Sequence, residues 1–217
     1  WFPYMARLLN QDPGVGVGVH LTLTSEWDSI KWRPLTHGPT LVDENGYFPA
    51  TNKAFSERKP ALGEIENELR AQIETAKRLI KNVGWLWPHM GTATSTPELR
   101  ELTLKLAHEY DLPLLGVEGS FRYLRQKYKA GDTAAAKTKA VQDVLESLSP
   151  GDWFYIDHPS TDTAESRAIG HAGYDHVAAE RSSLLQSWAD PALKKTIERL
   201  GIELISFEEA KAALHLK

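Results

Sequence analysis

Cysteine is absent from the 217 residues, which excludes disulfides and thiolate-held metal sites and leaves the redox compartment unreadable. No apolar run reaches the roughly 20 residues of a membrane-spanning helix. Neither sign of charge dominates: 25 Lys and Arg stand against 29 Asp and Glu, a net charge of -4. That balance gives no reason to expect nucleic acid or an anionic membrane surface as a partner. Internal repeats, low-complexity tracts and a dividing linker are missing too, so residues 1–217 are expected to form one domain. With 41% hydrophobic residues the composition is that of a soluble globular chain with a substantial core. A cytoplasmic location is the expectation. Because the first residue is Trp1 and not a methionine, secretion cannot be judged from this start.

What is present is an alternation of strand and helix signals. In "GVGVGVHLTLT", residues 14–24, Val15, Val17, Val19, Leu21 and Leu23 alternate with Gly16, Gly18, His20, Thr22 and Thr24. Such period-2 patterning predicts a strand. A polar loop punctuated by Pro and Gly runs from Ser25 to Pro60, long enough to suspect function. Leu62, Ile65, Leu69, Ile73, Ala76 and Ile80 recur at helical spacing over 62–81, and Val83–Trp87 predicts a short buried strand. Thr96 with Pro97 predicts a helix start by N-cap and first-turn proline, running to Tyr110. Strands are predicted at Leu112–Val117, Trp153–Asp157 and in "GIELIS", 201–206. Helices are predicted at Thr133–Leu148, His176–Trp188, Pro191–Leu200 and Phe207–Leu214. Strands separated by helices imply an α/β fold with a parallel sheet, either doubly wound or closed as a (β/α) barrel.

The glycines do not form a dinucleotide motif, because they lie inside the strand at period 2 and not in a strand-to-helix turn. A barrel suits the alternation better, with Val and Leu under the outer helices and the Gly/His/Thr face toward the lumen. Three histidines then share one kind of position. His20 is near the end of the first strand, His89 follows "VGWLW", and His158 follows "DWFYI". In a (β/α) barrel such ends converge at one mouth, where active sites sit. Taken singly, each reads more readily as a hydrogen-bonded structural residue than as a ligand. Together they point to a metal-assisted hydrolase, since imidazoles suit zinc and similar divalent ions, usually with a carboxylate completing the set.

Several blocks carry a specific resemblance: "GVGVHLTLTSEWD", "RPLTHGPTLVDENGYFP", "HMGT", "DHPS", and the closing stretch "YDHVAAERSSLLQSWADPALKKTIERLGIELISFEEA". The chain resembles the YdjC-like carbohydrate deacetylase family along its whole length. The resemblance implies a seven-stranded (β/α) barrel and a divalent metal ion, Mg or Zn. It also implies hydrolysis of the acetamido group of an N-acetylated amino sugar or oligosaccharide. Carried over to matching positions, it makes His20 and His89 metal ligands and His158 a catalytic residue. The family's opening strand ending in Asp-Asp-x-Gly has no counterpart in these 217 residues. The implied barrel is therefore short of one or two strands, and its metal-ligating and general-base aspartates are missing. A second departure is Trp87-Pro88-His89, where the family has Asp-Ser-His. A carboxylate beside a ligand histidine orients it, and tryptophan cannot. Either that role has moved elsewhere or the metal site is altered.

The residue types suit amide hydrolysis. A divalent cation polarises the carbonyl and lowers the pKa of its water, a carboxylate takes a proton, and a histidine gives one to the departing amine. On this reading His158 is the acid and Asp157 is structural. Trp27, Asp162 and Arg181 are candidate substrate contacts, the first by stacking on a sugar face. Two other readings stay open: a non-catalytic carbohydrate-binding relative, and a metal-dependent hydrolase of another bond, since fold does not fix function. A homodimer is one assembly the sequence leaves open.

Overall fold

The computed structural model describes residues 1–117, 122–207 and 209–210, which fall into two compact units. The first is built from residues 1–26 and 31–117 with the described part of 205–217. It opens with a helix that the apolar periodicity did not bring out, α1 (Phe2–Leu9). The glycine-alternating stretch forms β1 (Val17–Leu21), shorter than its pattern. Inside the long polar loop Thr51 caps a short helix, α2 (Asn52–Glu57), by accepting the Ala54 N–H. Next come α3 (Leu62–Leu79), β2 (Val83–Pro88) and α4 (Pro97–Tyr110). The α4 start is the one predicted, with Thr96 Oγ1 accepting the Leu99 N–H and Pro97 in the first turn.

β1 and β2 pair in parallel, Val19 against Leu86 and His20 against Trp87. Parallel neighbours need a helical crossover, and α3 supplies it. Its buried stripe of Ile65, Leu69, Ile73 and Ala76 packs into one core with Val19, Leu21, Leu23, Leu86, Leu106 and Leu114. Gly18 is required by close approach: a Cβ there would lie 2.0 Å from Nε1 of Trp85, its partner in the register.

The second unit holds residues 27–30 and the described part of 120–204. It contains α5 (Ala134–Glu146), α6 (Val177–Trp188) and α7 (Pro191–Leu200), with α5 packed on both other helices. A two-residue parallel pair accompanies them, β3 (Arg122–Tyr123) and β4 (Trp153–Phe154). Lys137 is fully buried on α5, its ammonium donating to the Glu180 carbonyl at 2.9 Å and lying 5.1 Å over the Tyr128 ring.

The α/β alternation is present, but the expected seven-stranded barrel is not what the described residues form. A closed barrel gives every strand two neighbours. Here the described residues hold two separate two-stranded sheets. The strand expected at 112–117 is reduced to bridge positions at Leu114 and Leu115, the first pairing in parallel with Leu86. That expected at 153–157 covers only Trp153 and Phe154. Residues 201–206 form no strand, and Leu204 is 75% exposed. Of the final expected helix, 207, 209 and 210 are helical, while 208 and 211–214 lie outside the described residues. No described helix is long and apolar enough to cross a membrane.

Candidate functional site

The end of β1 and the end of β2 bring two of the three predicted histidines together. His20 closes the polar face of β1, and its Nε2 lies 3.0 Å from Nδ1 of His89. His89 stands immediately after β2, where Pro88 ends the ladder. The chain then turns through two consecutive left-handed residues, Met90 (φ 51°) and Gly91 (φ 69°). A left-handed methionine is uncommon, and such conformations persist only where the surroundings hold them. Here Asn52 does so, donating from Nδ2 to the Met90 carbonyl at 2.9 Å and accepting from the buried Thr92 hydroxyl.

Beyond His89 lies Glu26, which the sequence reading passed over. Its Oε2 is 2.9 Å from His89 Nε2, and each side chain is 16% exposed. The alternation contained a signal for it: His20, Thr22, Thr24 and Glu26 continue the same period-2 face. Trp32 packs its ring edge-to-face against His89 at 6.0 Å and donates from Nε1 to the Thr24 carbonyl at 2.6 Å. From α3, Gln72 grips the chain after β1, accepting the Thr22 N–H at 2.9 Å and donating to its carbonyl at 2.8 Å.

The resemblance implies a divalent metal, and the donor set tests it. Two imidazole nitrogens facing one another from adjoining strand ends fit two ligands of such an ion. The carboxylate on the far nitrogen of His89 is the arrangement metal-bound histidines have. Catalytic zinc sites use three protein ligands. Among the described residues no cluster of three or more His, Cys, Asp or Glu side chains is placed to hold an ion. His20 and His89 thus fit as part of a ligand set.

The other candidates belong to the second unit. His158 lies four residues past β4 in an irregular segment, and its backbone N–H donates to Asp157 Oδ1 at 2.9 Å. Asp157 also accepts from the Tyr128 and Tyr155 hydroxyls. Burial, reinforced by the bond to Asp157, pushes both phenols well above their ordinary range. Trp27 is buried, not an open platform: His171 stacks on it at 5.7 Å and 20°, and the Arg181 guanidinium lies 5.4 Å over its ring. Asp162 pairs with Arg167 at 2.6 and 3.1 Å on the surface, and that partner holds its carboxyl below the ordinary value.

Comparison with known proteins follows the same lines. The family described as YdjC-like protein matches residues 1–199. The chain belongs to the YdjC-like family. A carbohydrate deacetylase of Thermus thermophilus is 37% identical over 177 residues, covering 72% of this chain and 66% of that protein. A carbohydrate deacetylase of Enterococcus faecalis is 29% identical over 212 residues, 90% of this chain and 78% of its own. Among solved structures, an Enterococcus faecalis protein carrying the provisional description of a cellobiose-phosphate cleavage protein superposes with a TM-score of 0.74. It is 25% identical, over 96% of this chain and 82% of its own. This YdjC-like chain therefore spans about two thirds of the Thermus thermophilus relative.

Proposed function

We propose that this YdjC-like chain takes part in carbohydrate N-deacetylation, releasing acetate from an N-acetylated amino sugar or oligosaccharide with a divalent metal ion, Mg or Zn. The observation that supports this reading is the His20–His89 pair, two imidazole nitrogens 3.0 Å apart at the ends of paired parallel strands. The names of the relatives supply the reaction class. His20 and His89 would hold the ion. When bound, it would polarise the amide carbonyl and lower the pKa of a water. His20 is exposed to solvent, while Trp32 packs edge-to-face with the half-buried His89 at 6.0 Å. His158 is the proposed donor of the proton that the departing amine needs. Its part rests on the resemblance and not on a distance.

Metal retention and acetate release from N-acetylated chito-oligosaccharides test the reading. His20→Ala and His89→Ala should lose divalent metal by elemental analysis while His108→Ala keeps it. His158→Gln should keep metal but slow acetate release by about 100- to 10,000-fold. Equal metal content in all variants would remove the site. Sugar binding without acetate release would select a carbohydrate-binding protein instead.

A further inference from the structure

We propose that Glu26 is a positioning residue for the metal-binding pair, holding the His89 ring so that Nδ1 and not a carbon or an N–H faces His20. The inference rests on the metal reading above and names what orients its second ligand.

The hydrogen-bond inventory dictates the assignment. An ionised carboxylate only accepts, so the 2.9 Å contact from Glu26 Oε2 requires the proton on His89 Nε2. A neutral ring protonated there has a bare lone pair on Nδ1, the nitrogen 3.0 Å from His20 Nε2. Turning the ring over would exchange Nδ1 for a carbon and break the bond to Glu26, so that bond selects one of the two ring orientations. At 16% exposure on each side, this hydrogen bond to a carboxylate is largely shielded from competing water.

The backbone leading into Glu26 is itself held. Thr24 and Ser25 are fully buried. The Ser25 N–H donates to the Pro49 carbonyl at 2.9 Å, and its Oγ accepts the Trp32 N–H at 3.1 Å. Lys31 Nζ donates to the Ser25 carbonyl at 2.9 Å. Trp32, fixed by these bonds, packs edge-to-face with His89. One short segment thus supplies both the acceptor for the ring and the wall beside it. Positions 87 and 88, just before the ligand, are Trp and Pro and offer no acid.

Zinc titration of the purified protein, with nitrogen-edited NMR of the metal-free histidines, tests this. His20→Ala and His89→Ala should lose zinc binding. Glu26→Ala should weaken zinc by about 10- to 100-fold, the usual effect of losing a partner behind a ligand histidine. Glu26→Asp, which keeps the charge but withdraws it by one methylene, should behave like Glu26→Ala. Glu26→Gln, whose amide oxygen still accepts the Nε2 proton, should recover most of the affinity. The low-field Nε2–H resonance of His89 should be present in the wild type and Glu26→Gln and absent in Glu26→Ala. Wild-type affinity in both Glu26→Ala and Glu26→Asp overturns the proposal. If His20→Ala and His89→Ala bind zinc normally, the metal reading fails instead. The Nε2–H resonance then decides whether Glu26 orients the ring.

Discussion

Two glycines in the first unit are needed for different reasons, and their variants should separate those reasons. Gly18 has ordinary backbone geometry but no room, with Trp85 Nε1 2.0 Å from where a Cβ would go. Gly91 has room, nothing lying within 4 Å of an added Cβ, but sits at φ +69°. Gly18→Ala must push an indole out of register with its partner strand, costing about 1–3 kcal/mol as overpacking does. Gly91→Ala faces only the left-handed penalty, roughly 1–2 kcal/mol, which asparagine tolerates better than alanine. Thermal melts should therefore show Gly91→Asn recovering part of the loss of Gly91→Ala, and Gly18→Asn falling below Gly18→Ala. The opposite order at either position contradicts this account. At this scale the sequence was only partly legible. The polar face of the first strand was visible, and with it His20. Extending the same alternation by two residues reaches Glu26, but the strand's hydrogen bonding ends at Leu21, so the pattern outlives the element. That Trp27 would be buried had no local signal, because His171 and Arg181, which cover it, are over 140 residues away.

At the scale of elements, α3 does more than bury one face. Alongside Ile65, Leu69 and Ile73 runs a polar row at spacing four, Glu64, Glu68 and Gln72, neighbours on one side of a helix. Glu64 accepts from the Thr40 N–H at 2.9 Å and from its hydroxyl. Glu68, fully buried, accepts from the Leu35 and Thr36 N–H groups at 3.0 and 2.9 Å, from the Thr36 hydroxyl and from Gln72. Gln72 in turn grips Thr22. The helix thereby fastens the middle of the long loop to the segment that follows the strand carrying His20. The apolar stripe that predicted α3 does not reveal this, since glutamates on a helix ordinarily face water. Glu68→Ala removes the shared acceptor of the Leu35 and Thr36 N–H groups and the Thr36 hydroxyl, each hydrogen bond worth about 0.5–1.5 kcal/mol. Limited proteolysis should then cut within residues 34–41 far faster than in the wild type, with a lowered urea midpoint. Unchanged cleavage there would mean that the loop holds its shape without α3.

Over the whole molecule, alternation of helix and strand was readable because it rests on local periodicity, whereas barrel closure depends on pairing partners that no local pattern specifies. Leu112–Val117 has strand composition yet forms only bridge positions at Leu114 and Leu115, and 201–206 forms no strand. The two units also differ in a way composition hides: where their phenols lie. In the second unit, burial and Asp157 raise Tyr128 and Tyr155, and burial with Glu180 raises Tyr174 against an opposing Arg181. In the first, Tyr110 is raised by burial and Glu74, with Arg70 opposing. A phenol whose pKa is higher folded than unfolded stabilises the fold fully below its unfolded value near 10, and that contribution is lost as the pH climbs through and beyond it. Deprotonation beside Asp157 would place negative charge against a carboxylate, so the unfolded chain gives up its protons first. The second unit should therefore weaken first as the pH passes 10. Thermal melts at pH 8 and pH 11 should show a large fall in Tm for the wild type. The fall should be clearly smaller for Tyr128→Phe with Tyr155→Phe, whatever that double variant loses at pH 8 from leaving Asp157 short of donors. An equal fall in both proteins would place the alkaline sensitivity elsewhere.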